Sequence, residues 1–201
     1  MHRNRSTETN RRSFATRAIS FADRQFGRLI WGRTFGEFGK KSEIGRPLFL
    51  SGRKSIFIQK SVKIWKMARL EAIGPEGQIK IGQGTIIQPF VHIGAAKLVE
   101  IGNNCLFASQ VYISDHDHDW IDPDVPPALS KKLICAPVSI GDGVWLGERV
   151  VVLKGVSIGE NSVVGAGSVV TKSLPSRCVA VGIPAKIVNS WNAKTGRWEK
   201  V

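Results

Sequence analysis

The sequence predicts an all-β solenoid, and three observations carry that prediction. Six apolar residues, Ile140, Leu146, Val152, Ile158, Val164 and Val170, follow one another at strict six-residue intervals. Each is preceded two positions earlier by a second small or apolar residue: Val138, Val144, Val150, Val156, Ser162 and Ser168. The same register appears upstream at Ile81, Ile87 and Ile93 and, after a two-residue slip, at Ile101, Phe107 and Ile113. A helix repeats its apolar face at about 3.6 residues and a lone strand at about 2. A period of six instead describes a short strand plus a corner, one side of a triangular coil.

Three hexads close one coil, so the two blocks supply about four coils, with Ile58, Val62 and Ile64 marking a degenerate first one. A single coil cannot bury its apolar face, so the coils must stack and both ends must be capped. We read a basic leader over 1–45, the hexad domain over 46–190 and a C-terminal tail over 191–201, with a short C-terminal cap on the solenoid. Within the leader, residues 13–38 place Phe14, Ala18, Phe21, Ala22, Leu29 and Ile30 at roughly helical spacing among Arg17, Arg24, Arg28 and Arg33. Two placements fit this segment. One is a helix packed on the solenoid end with its Arg residues in water, the other an amphipathic helix in peripheral contact with an anionic membrane.

Charge is distributed unevenly. Residues 1–60 carry 14 Lys+Arg and four Asp+Glu, a net +10 of the chain's +13. No recognisable nucleic-acid motif accompanies this excess, so a nucleic-acid partner is not expected. The sequence has no run of membrane-spanning length and no compact apolar stretch of a secretory signal, which makes the cytoplasm, or the inner face of its membrane, the expected location. Three irregularly spaced Cys form neither a disulfide framework nor a metal knuckle, and Cys105 falls on an inward repeat position, where it reads as a small hydrophobe.

The register breaks once, between Ile113 and Val138. Residues 114–136 run through Asp115-His116-Asp117-His118-Asp119-Trp120 and then Pro123, Pro126 and Pro127. This is a loop thrown from one corner of a rigid stack, the place where binding and catalysis concentrate. Imidazoles flanked by carboxylates suit proton transfer, because a neighbouring Asp can fix the tautomer and stabilise the imidazolium.

Together with the hexads and this loop, the segments Gly143-Val144-Trp145-Leu146-Gly147, Val164 to Lys172 and Val181-Gly182-Ile183-Pro184-Ala185-Lys186 resemble the hexapeptide-repeat acyltransferases, most closely the sugar O-acetyltransferase branch. The resemblance covers about residues 56–190. It implies a left-handed parallel β-helix, an exception to the right-handed crossover rule, assembled as a homotrimer with acetyl-CoA bound between neighbouring subunits and no metal. The implied reaction is direct acetyl transfer to a carbohydrate hydroxyl, on a cell-surface polysaccharide or its precursor, with a loop histidine as general base.

Counting from the flanking coils favours His118 for that base, leaving His116 with Asp115 or Asp117 to orient it or to bind sugar. The resemblance further implies CoA contacts at Gly147 and Ala166, with Lys172 and Lys186 near the phosphates. Glu148 stands where relatives often carry a small polar residue, an awkward neighbour for phosphate. Trp120 and Trp145 are candidate sugar-stacking or site-walling aromatics. The scattered cysteines, none next to a His in sequence, argue against a Cys nucleophile. Three other readings remain: N-acetylation of an amino sugar nucleotide, a carbonic-anhydrase-like zinc enzyme recruiting His92, His116 and His118, and a non-catalytic scaffold.

Overall fold

The computed structural model describes residues 22, 24 and 26–201. Phe14, Arg17, Ala18 and Phe21 of the expected leader helix lie outside the described residues. Among the described residues the chain winds into six complete triangular coils and the start of a seventh, forming a left-handed parallel β-helix. Face one is built from Glu37–Phe38, Ile56–Ile58, Gln78–Ile81, Leu98–Ile101, Val138–Ile140 and Ser157–Ile158. Face two runs through Glu43–Ile44, Lys63–Ile64, Ile86–Ile87, Leu106–Phe107, Trp145–Leu146 and Val163–Val164. Face three takes Phe49–Ser51, Arg69–Ala72, His92–Ala95, Tyr112–Ser114, Val151–Val152 and Val169–Val170.

Parallel pairing sets like positions over like. On face one Ile58, Ile81, Ile101, Ile140 and Ile158 form one rung after another. On face three Leu70, Ile93, Ile113, Val152 and Val170 do the same. Every residue of the hexad pattern is buried, Cys105 included, and the apolar ones make one continuous core. Where a hydroxyl replaces an inward aliphatic group it is satisfied. Thr85 Oγ1 donates to the Gly102 carbonyl and accepts from Cys105 N–H, and Ser42 Oγ donates to the Gln59 carbonyl and accepts from Val62 N–H. Unpaired, each would cost about 1–3 kcal/mol.

The first coil begins at Glu37, inside the stretch read as leader, and the second carries the Ile58, Val62, Ile64 pattern. Both are hard to see by period because their corners vary in length. A 3₁₀ turn at Arg53–Ser55 and the turn through Gly74 stretch the spacing while leaving the ladder intact. At the other end Cys178–Gly182 turns back into Ala185–Asn192, which pairs antiparallel with Arg197–Lys200. This meander extends face two and closes the stack as its cap, and residues 191–200 of the expected tail are part of it.

The N-terminal end is covered by a helix, described at 22, 24 and 26–31. Of the Arg residues expected to lie in water, Arg33 is exposed and Arg28 half-buried, but Arg24 is not. Arg24 points inward, 2.7 Å from Glu43 Oε2 and 4.5 Å above the Trp65 ring. Gly27 is buried against the Ile44 carbonyl, where any Cβ would collide, and Trp31 packs on the core. No helix among the described residues is long and apolar enough to cross a membrane.

Candidate active site

The site starts from the two-residue slip. At the corner after His92–Ala95 the extra residues leave the N–H groups of Ala96, Lys97 and Leu98 without a ladder partner. The Asp115 carboxylate, completely buried, accepts all three at 2.7 Å. Its own main chain is held too, with Asp115 N–H donating to Gly94 and its carbonyl accepting from Ala136 N–H. Asp115 is therefore the hinge pin from which the excursion leaves the solenoid.

Beyond Asp115 the chain forms a β-hairpin. His116–His118 pairs antiparallel with Leu133–Cys135, and the tip between them is mostly exposed. His116 Nδ1 lies 2.9 Å from Asp115 Oδ1 and 3.3 Å from Ser114 Oγ. With Nδ1–H donated to the carboxylate, Nε2 is the ring nitrogen left with its lone pair. The imidazole sits over Gly94, whose imagined Cβ would be 3.2 Å from His116 Cε1 and 3.7 Å from His92 Nε2. His118, one strand step on, is exposed. Asp117 turns away to meet Lys154 Nζ at 2.6 Å, which ties the hairpin to the next coil. Tyr112, His116, Asp117, His118, Trp120 and Pro127 line a cleft of about 360 Å³.

A second carboxylate–imidazole pair stands across Gly94. His92 Nε2 lies 2.8 Å from Glu71 Oε1, and the His92 ring meets Tyr112 edge-on at 5.0 Å. Burial pushes the His92 imidazole below its ordinary range, the hydrogen bond to Glu71 notwithstanding. Burial opposes ionisation of Glu71 as well, but hydrogen bonds from Arg69 and His92 outweigh it and hold the carboxyl below the usual range. Glu71, Gly94 and Tyr112 escaped the sequence reading, and His92 entered it only as a zinc candidate. Once the coils are stacked, Glu71, Gly94 and Ser114 form one row and Arg69, His92 and Tyr112 the next.

The residues expected to contact CoA lie elsewhere on the prism. Gly147 and Ala166 occupy the edge between faces two and three, and Val181, paired with Lys186, packs against Gly165 of that edge. Gly147 is covered by the next coil, its imagined Cβ only 2.6 Å from Ala166 N. Ala166 is exposed, and a Cβ on neighbouring Gly167 would meet nothing within 4 Å, so this corner is bare backbone open to a ligand. Lys172 lies on the edge between faces three and one, the edge that bears the hairpin. Face three separates these two edges, and the hairpin cleft includes none of Gly147, Ala166, Lys172 or Lys186. Trp145 projects from face two, half-exposed, and Glu148 is exposed at its corner. Among the described residues, His92, His116 and His118 do not gather into a metal-binding group.

Comparison with known proteins gives three findings. A family model described as the hexapeptide repeat of succinyl-transferase matches residues 137–172. The "Putative lipopolysaccharide biosynthesis O-acetyl transferase WbbJ" of Escherichia coli (strain K12) is 42% identical over 139 residues, 66% of this chain and 70% of that protein. Two solved structures share the fold and part of the sequence. Galactoside acetyltransferase in complex with coenzyme A superposes with a TM-score of 0.60 at 29% identity, covering 73% of this chain and 68% of that one. The polySia-specific acetyltransferase NeuO gives 0.62 at 31%, covering 74% and 68%.

Proposed function

The chain belongs to the hexapeptide-repeat acetyltransferases, and on that premise we propose that it moves an acetyl group from acetyl-CoA to a hydroxyl of a carbohydrate, a cell-surface polysaccharide or its precursor. The relatives named for lipopolysaccharide, galactoside and polysialic acid support this class of acceptor. We assign the general base to His116 rather than His118. The observation that carries the assignment is the Asp115–His116 bond, which fixes the Nδ1–H tautomer and leaves Nε2 to take a proton. His118, in the same cleft but exposed, is left to contact the sugar together with Trp120.

In the reaction the acceptor hydroxyl gives its proton to His116 Nε2 as its oxygen attacks the thioester carbonyl. Asp115 stabilises the imidazolium that forms, and His116 then returns the proton to the departing thiolate. A positioned base of this kind is worth about 10²–10⁴ in rate, and holding both substrates in one complex supplies the entropic part. The exposed Gly165-Ala166-Gly167 corner fits an amide-bearing pantetheine arm, with Lys186 beside it and Lys172 one edge away as the cations for phosphate.

The hairpin and the Ala166 corner sit on different edges of one prism. This separation supports a homotrimer whose complete sites form between neighbouring subunits, the hairpin of one facing the Ala166 edge of the next. We also propose that the N-terminal segment makes a peripheral membrane contact. The test of the enzymatic reading is calorimetric titration of the purified protein with acetyl-CoA, followed by acetyl transfer to a panel of oligosaccharides. Saturable binding near one site per chain and transfer lost in His116→Ala are expected. A folded protein that binds no acetyl-CoA overturns the proposal.

A further inference from the structure

The helix at the N-terminal end is built inside out. Its solenoid-facing side carries Arg24, Gly27 and Trp31, with the charge of Arg24 matched by Glu43. Positions 26, 29 and 30 then fall on the opposite side, since residues three and four apart share a helix face. They are Phe26, Leu29 and Ile30, exposed by 64%, 69% and 43%. Leu48 and Phe49 of the first coil, 59% and 50% exposed, add apolar surface to the same end. An ordinary surface helix would turn this face to the core.

The surroundings of this apolar face are cationic. The described residues up to 60 carry nine Lys+Arg against two Asp+Glu. Arg28 lies on the helix, Arg33 on the 3₁₀ turn that follows it, Lys40 and Lys41 on the first coil and Lys54 on the turn after that coil. An apolar face at an end of the solenoid rich in exposed Arg and Lys matches an anionic bilayer, whose acyl boundary takes the apolar groups and whose headgroups take the cations.

We infer that the solenoid docks end-on to an anionic lipid bilayer, with Phe26, Leu29 and Ile30 entering the interface and the surrounding Arg and Lys at headgroup level. This deepens the membrane contact proposed above and rests on that reading, while standing apart from the acetyl-transfer chemistry. It also fixes the geometry of the reaction. The hairpin leaves after the fourth coil, so at about 4.8 Å per coil His116 stands about 15 Å beyond the first coil. An acceptor reaching it from the membrane is a glycan on a lipid anchor, with the reacting sugar a few residues from the headgroup.

The test is co-sedimentation of the full-length protein with phosphatidylcholine vesicles and with vesicles containing about 20% phosphatidylglycerol, at about 0.1 M salt. Binding at least about tenfold stronger to the anionic vesicles is expected, weakened in high salt. Leu29→Glu with Ile30→Glu should lower that binding about tenfold or more, with acetyl-CoA titration and melting temperature unchanged. Arg28→Glu with Arg33→Glu should abolish the preference for anionic over neutral vesicles. The inference is overturned if the wild type does not bind anionic vesicles, or if the Leu29/Ile30 variant binds them as well as the wild type. A fall in oligomeric mass for that variant by light scattering also overturns it, since a second copy would then cover the face. Acetyl-CoA binding is scored separately in every arm, so failure here leaves the enzymatic reading where its own test puts it.

Discussion

Two carboxylate–imidazole pairs face each other across Gly94, and they use opposite ring nitrogens. In Asp115–His116 the carboxylate takes Nδ1, leaving Nε2 with its lone pair on a ring that lines the cleft. In Glu71–His92 it takes Nε2, so that ring's approach to Gly94 is already occupied. The carboxylates differ as well. Asp115 is buried and anchored by three main-chain N–H groups, whereas Glu71 is shared with the exposed end of Arg69. One pair is a fixed device for moving a proton. The other is a partly buried wall on the far side of Gly94, outside the lining of the cleft. Residue types alone do not distinguish a base from a wall; what else the carboxylate holds, and which nitrogen it leaves, does.

The largest effect should come from removing the proton acceptor. His116→Ala is expected to lower kcat by about 10²–10⁴ with acetyl-CoA affinity nearly unchanged, because a base acts in the transition state. His118→Ala should raise KM for the acceptor several-fold and leave kcat within about tenfold. Steady-state kinetics on both variants decide the assignment, and a His118→Ala variant far worse than His116→Ala would return the base to His118.

Asp115→Ala should come next, because it strikes fold and chemistry together. Three main-chain donors lose their acceptor in a buried corner, at about 1–3 kcal/mol for each group left unsatisfied. The His116 tautomer is freed at the same time. Urea denaturation should register a loss of several kcal/mol and kinetics a fall in kcat at least as large as that of Gly94→Ala. Full activity in a stable Asp115→Ala protein would contradict both roles.

Gly94→Ala probes the space between the pairs. The new Cβ would stand 3.2 Å from His116 Cε1, tighter than ordinary packing, so the imidazole must shift by a few tenths of an ångström. A shift of that size costs about tenfold in kcat where reacting atoms must align. Melting temperature should stay nearly constant, since the side chain points toward the His116 and His92 rings rather than into the core. Unchanged kcat would mean that His116 has freedom to adjust.

The coils and the hairpin differ in how much of them the sequence discloses. The core rungs were legible because a six-residue period is a local property, and each of Ile140 through Val170 reports its own inward position. The two N-terminal coils were less so, since Ile44 and Leu70 keep their rungs only after corners of irregular length are allowed for. The loop announced itself by breaking the period, but the division of labour inside it did not. Asp115 and Asp117 look alike in sequence, yet one fills a corner left by the slip before Ile101 and the other meets Lys154. Glu71 and Gly94 were invisible for the same reason: they reach His92 and His116 through stacking between coils, and residue spacing along the chain carries no mark of it. In the leader, composition did not disclose that Gly27 and Arg24, the latter paired with Glu43, face the solenoid.

The smallest effect sharpens the comparison from the side of the wall. His92 is held below its ordinary range by burial, so the folded chain binds its proton less readily than the unfolded chain. Stability attributable to keeping His92 neutral is therefore present above its unfolded value, about 6.5, and declines as pH falls below it. Glu71, also held low, contributes with the same sign in the carboxylate range: its contribution is present above the unfolded value and is lost as pH falls through the folded one. His92→Gln retains a donor for Glu71 but cannot titrate. Melting curves of wild type and variant should differ by a constant offset above about pH 7 and converge on acidification, the wild type losing more than the variant by a few degrees at most. If the variant loses more, the folded state holds the His92 proton more tightly than the unfolded chain, and Glu71–His92 would be a charged pair.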